Sequence, residues 1–122
     1  MNYLSYKTWN TLVKANYETD VEAFEDDLVF EASGIMFLVQ RKNDCNNVVA
    51  QRLIHKPGTF MQAVIEFRKV MIENNIQFVR VEGNLKRYRF LKKMLPKLFG
   101  NEVNIIKDDN VTDRNVFYIK VY

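Results

Sequence analysis

Apolar and polar positions along the chain change period several times, and each change marks an element. Residues 3–17 place Leu4, Trp9, Leu12 and Val13 at mixed three- and four-residue spacings, which predicts a short helix. Residues 20–27, DVEAFEDD, are acidic and predict a solvated connector. Residues 28–42, LVFEASGIMFLVQRK, form two β-rich runs around Ser33-Gly34, the pattern of a hairpin. Asn43-Asp44-Cys45-Asn46-Asn47 is turn chemistry, and residues 48–56 predict a third strand.

After Pro57-Gly58-Thr59 the period becomes helical. Thr59 is the expected N-cap, and Phe60, Val64, Phe67 and Met71, with Ala63 and Val70 beside them, share one face to about Glu73. Asn74-Asn75 stops that helix, and residues 76–83 predict a strand ending in Gly83. A second helix from Asn84 to about Phe99 turns Tyr88, Leu91, Met94, Leu95 and Leu98 inward, with Pro96 expected to kink or break its last turn. Residues 102–107 and 116–122 predict a closing strand pair, the last alternating Phe117, Ile119 and Val121 against Tyr118, Lys120 and Tyr122. From residue 28 the order is β-β-β-α-β-α-β-β after an N-terminal helix, which predicts an α/β (α+β) domain with a mixed sheet. The strands before and after the first helix should run parallel. Phe67 and Val81 are expected in its core.

At 122 residues the chain has room for one domain, 1–122, burying about two-thirds of its unfolded surface. A content of 48% hydrophobic and 27% charged residues excludes global disorder. Cys45 is the single cysteine, so no internal disulfide forms, which fits a reducing compartment. No apolar run reaches the roughly 18 residues that cross a bilayer, and the N-terminal residues do not read as a signal peptide. A net charge of +3 permits nucleic-acid contact without arguing for it. No His, Cys, Asp and Glu cluster has metal-ligand spacing, so no metal is expected.

Two stretches resemble the GNAT acyltransferases: RLIHKPGTFMQAVIEF (52–67) and VRVEGNLKRYRFLKKMLPKLF (79–99). Val79, Val81, Gly83, Asn84, Arg89, Phe90, Leu91 and Lys92 are similar to the strand, Gly-Asn and Arg-Phe-Leu-Lys pattern of a small GNAT-like family of short-tailed bacteriophages, which includes internal virion proteins. The resemblance covers residues 28–122 and implies a GNAT-like acyl-CoA N-acyltransferase fold in a phage virion or the host cytoplasm.

An active member would hold acetyl-CoA on the loop His55, Lys56, Gly58 and Thr59, with Asn84 on the pantetheine arm. The loop works through backbone N–H groups at a helix start. Here Phe60 stands at the second glycine position and Pro57 lacks an N–H donor. Leu91 stands where the family's general-acid Tyr would be, and Leu95-Pro96 replaces its closing Gly-Phe. Tyr88 could stand in as acid and Glu82 as base, with His55, Glu31 and Glu66 weaker bases. Each has a plainer role: Gly58 in a strand-to-helix turn, Asn84 as helix cap, Tyr88 packing on the sheet. The resemblance thus implies a degenerate acyltransferase, needing no cofactor, that binds phage or host proteins. The rival is an acetyl-CoA-dependent N-acetyltransferase acting on a protein amine.

The strongest charge feature is six cations in residues 86–97, with no acid from Gly83 to Gly100. Lys86, Arg89, Lys93 and Lys97 fall on one helical face, a candidate partner-binding surface. The plainer reading of such a run is a solvated face. As a binding surface it favours an acidic protein over a phosphate, whether of nucleic acid or the 3′-phosphate of CoA, and no stacking platform of aromatics is evident. No membrane contact is expected.

Overall fold

Ser33 and Gly34 both adopt positive φ, 48° and 81°, and so join two strands by a two-residue turn whose twist matches the strand twist. β2 (Leu28–Ala32) and β3 (Ile35–Lys42) pair antiparallel from Ala32↔Ile35 to Leu28↔Val39. Val29, Phe30 and Ala32 and all of Ile35–Val39 are buried. These strands are covered on both faces, so they read as near-continuous apolar runs. The computed structural model describes residues 1–16, 20–42, 44–53 and 58–122. They include seven strands and three α-helices, gathered into two compact units, Met1–Phe67 and Arg68–Tyr122.

In the first unit β4 (Cys45–Arg52) pairs antiparallel with β3, from Lys42↔Cys45 to Ile35↔Arg52. The strand starts earlier than its sequence suggested. Cys45, Asn46 and Asn47 belong to the ladder rather than to a turn, because cross-strand pairing with Lys42, Arg41 and Gln40 overrides their turn preference. Residues 54–57, the expected end of this strand and the start of the next turn, lie outside the described residues.

The N-terminus also differs. β1 (Asn2–Leu4) adds to the edge of β2, with Leu4↔Val29, and α1 (Tyr6–Asn16) begins only after Ser5. Ser5 caps that helix through its side chain, 3.2 Å from the Thr8 N–H. Three residues are too few to carry a strand period, so Tyr3 and Leu4 read in sequence as the start of the helix.

α1 sets Trp9 and Val13 against Val29, Met36, Leu38 and Leu53 on one face of this sheet. The acidic 20–27 stretch is irregular but anchored. The Trp9 indole donates to the Val21 carbonyl (2.9 Å), and the Asn10 amide both donates to and accepts from the Ala23 backbone. On the opposite face Phe30 and Phe37 stack at 5.2 Å, and Phe67 of α2 (Phe60–Glu73) tilts over both. Phe67 is half-buried rather than fully enclosed.

In the second unit α2 ends where Asn74-Asn75 predicted. Asn75 takes φ 57°, and the N–H groups of Asn75 and Ile76 close on the carbonyls of Ile72 and Met71. This double closure satisfies carbonyls the helix end leaves open. β5 (Phe78–Glu82), β7 (Val116–Lys120) and β6 (Asn104–Lys107) form an antiparallel group with β7 central. Val79 is the buried residue of β5, at 1% exposure. Val81, expected in the core, is only half-buried.

α3 (Leu85–Phe99) buries Leu91, Met94 and Leu95. Pro96 does not break it. One helical turn follows the proline, and Gly100, at φ 76°, donates its N–H to the Pro96 carbonyl to close the end. Arg68 ties this unit together: its guanidinium lies 4.8 Å from the Phe99 ring centroid and donates to the Val121 carbonyl at 2.8 Å.

Candidate functional site

Gly58 and Thr59 are described, whereas His55, Lys56 and Pro57 lie outside the described residues. A Cβ at Gly58 would fall on the Ser33 carbonyl. The missing side chain therefore makes room for the β2–β3 turn. The Thr59 N–H donates to the Ser33 hydroxyl (3.2 Å), and the Thr59 hydroxyl accepts from the Gln62 N–H (3.1 Å) as the predicted N-cap. Two groups that could face an anion are thus spent inside the fold: the glycine surface on Ser33 and the Gln62 N–H on Thr59.

Asn84 caps α3, its side-chain oxygen accepting from the Arg87 N–H at 2.7 Å. Tyr88 is half-buried and lies flat on Phe117 of β7, with ring centroids 4.7 Å apart and planes within 8°. Its hydroxyl accepts from the Lys92 ammonium at 3.2 Å, and that ammonium also lies 5.5 Å from the ring centroid.

Glu82 is exposed, and one of its carboxylate oxygens meets both Arg80 (3.2 Å) and Arg114 (3.1 Å). Glu31 accepts from the Gly34 N–H, and Glu66 pairs at 3.7 Å with the Met1 amino group. Chain order brings Glu82, Asn84 and Tyr88 to one end of β5, but each is engaged in a contact that supports local structure.

The outer face of α3 is different. Lys86, Arg89, Lys93 and Lys97 are all exposed, and among the described residues none of the four has an acidic partner. Phe90 lies one turn from Lys86 and one from Lys93, so it shares their face, and it is 47% exposed. Leu85, at the start of the helix, is 38% exposed.

Phe90 is therefore the apolar neighbour of these four cations. Counting the inward residues Leu91, Met94, Leu95 and Leu98 around the helix puts Phe90 outside, and that signal was present in the sequence. Like charges at i,i+4, as in Arg89–Lys93 and Lys93–Lys97, each cost roughly 0.2–0.5 kcal/mol. Cations in the first turn also oppose the helix dipole. Charge is segregated along the chain: residues 68–122 hold twelve Lys and Arg against six Asp and Glu, whereas residues 1–67 hold six against nine.

Compared with protein-family models, curated proteins and solved structures, the chain matches none. Among the described residues no helix is long and apolar enough to cross a membrane, and no three His, Cys, Asp or Glu side chains are grouped to hold a metal ion.

Proposed function

We propose that the chain is a binding protein on an acyltransferase-like frame, docking through the outer face of α3 onto an acidic surface of another protein. Its setting is a phage particle, as a minor component, or the cytoplasm of the host. The element order β2-β3-β4-α2-β5-α3-β6-β7 supports the frame. The observation that carries the docking surface is the row of Lys86, Arg89, Lys93 and Lys97 around exposed Phe90. An aromatic centre with cationic neighbours suits a protein partner, where apolar contact supplies affinity and charge supplies approach and register. Gly58, Asn84, Tyr88 and Glu82 are committed to the fold, which weighs against their use on acetyl-CoA.

The test is Arg89→Glu with Lys93→Glu in the full chain, assayed for incorporation into particles of a short-tailed phage and for retention on duplex DNA. Incorporation should be lost while the variant melts as a folded protein. Loss of DNA retention with normal incorporation would favour the nucleic-acid reading. Acetyl-CoA at ~100 times Kd would add about 2.7 kcal/mol to the stability of a true acyltransferase site, and such a gain would overturn the binding-protein reading.

A further inference from the structure

Resting on the reading of α3 as a protein-docking face, we infer that its acidic partner is the 20–27 turn of a second copy of this chain. This turn carries five carboxylates in eight residues, Asp20, Glu22, Glu25, Asp26 and Asp27. Asp20, Glu22, Glu25 and Asp26 are exposed. Phe24 stands at its centre and is 61% exposed, the most open aromatic among the exposed large side chains.

The turn is held in place before any partner arrives. The Phe24 N–H donates to the Asp27 carboxylate (2.8 Å) and the Asp27 N–H to the Phe24 carbonyl (2.9 Å). Upstream, Val21 and Ala23 are fixed by the side chains of Trp9 and Asn10, and the Glu22 carbonyl accepts from Gln40. A preformed turn loses little freedom on docking.

The two surfaces match in sign and in pattern. One is a row of cations around Phe90, the other a group of carboxylates around Phe24. They lie on different units, which carry opposite net charge. A surface of one kind cannot pair with itself, so the contact joins the turn of one copy to the helix of the next. Made reciprocally, two such contacts give a two-fold dimer; unreciprocated, they close into a ring or extend as a filament. Charge opposition across the contact speeds encounter and is weakened by salt.

Sedimentation velocity of the full chain tests this. The wild type should sediment faster as concentration rises and slow again when salt is added. Arg89→Glu with Lys93→Glu should remain monomeric, as should Glu25→Lys with Asp26→Lys, both with folded circular dichroism spectra. An equimolar mixture of the two variants should associate again, because the acidic helix of one now meets the basic turn of the other. Phe24→Ala with Phe90→Ala should weaken the association by at least about tenfold. A wild type that stays monomeric to millimolar concentration overturns the inference, and so does a mixture that fails to re-associate. A monomeric wild type that still needs Arg89 and Lys93 for particle incorporation overturns this inference alone. Incorporation that ignores those residues overturns the reading beneath it.

Discussion

Tyr88 lies flat against Phe117, with ring centroids 4.7 Å apart, and this contact fixes the first turns of α3 on β7. An aromatic pair of this kind adds about 0.5–1.5 kcal/mol beyond the area it buries. Tyr88→Ala should therefore destabilise the chain by about 2–3 kcal/mol, less than a fully buried aromatic because Tyr88 is half-exposed. Tyr88→Phe keeps the stack and loses only the exposed Lys92 contact, so its urea midpoint should match wild type. A Tyr88→Ala midpoint equal to wild type would show that the stack does not hold the helix.

Gly58→Ala tests the other anchor. The added methyl meets the Ser33 carbonyl group before it meets the Ser33 hydroxyl, so the backbone sets the clash. The expected loss is about 1–3 kcal/mol, and Ser33→Ala in the same chain should not recover it. Equilibrium denaturation of the single and double variants decides the point.

Gln51 is 2% exposed, and among the described residues neither its amide nitrogen nor its amide oxygen has a hydrogen-bond partner. A buried amide left unpaired costs about 1–3 kcal/mol. Gln51→Met, close in volume and without polar hydrogens, should raise the melting temperature. A lower melting temperature would mean that the amide is satisfied by water in solution.

Lys93 is placed so that stability and docking should move in opposite directions. It has a like charge at i−4 (Arg89) and another at i+4 (Lys97), and Lys93→Glu turns both repulsions into attractions. The gain should be on the order of 0.5–1 kcal/mol in thermal unfolding at low salt, fading as salt is added. Particle incorporation should fall in the same variant. A stabilised variant that still incorporates would remove Lys93 from the docking face.

Most elements were legible because each rests on local chemistry. Ser33-Gly34 forms the turn, Thr59 and Asn84 cap the helices, and Asn74-Asn75 ends one, as their residue types require. What failed was decided by partners distant in sequence. β1 exists because β2 offers it an edge, and Asn46 and Asn47 are extended because β3 pairs with them. Pro96 was read as a kink or a break; the helix is not broken there, since a proline so near its end leaves only one turn beyond it, and Gly100 closes that turn. At the candidate site the cations were evident by count, whereas the exposure of Phe90 required settling which face of α3 turns inward.

The Ser33-Gly34 turn has a consequence for how this chain can vary. Hairpin tips are ordinarily where insertions are absorbed most easily. Here the tip is enclosed: the Ser33 carbonyl abuts Gly58, the Ser33 hydroxyl accepts from Thr59, and the Gly34 carbonyl accepts from the Leu53 N–H at 2.8 Å. One added residue would shift the faces of β2 and β3 against each other and unseat the first turn of α2 together with the end of β4. Length changes should therefore be tolerated at the tip of the β6–β7 connection, around Asp109 and Asn110, and excluded at residues 33–34.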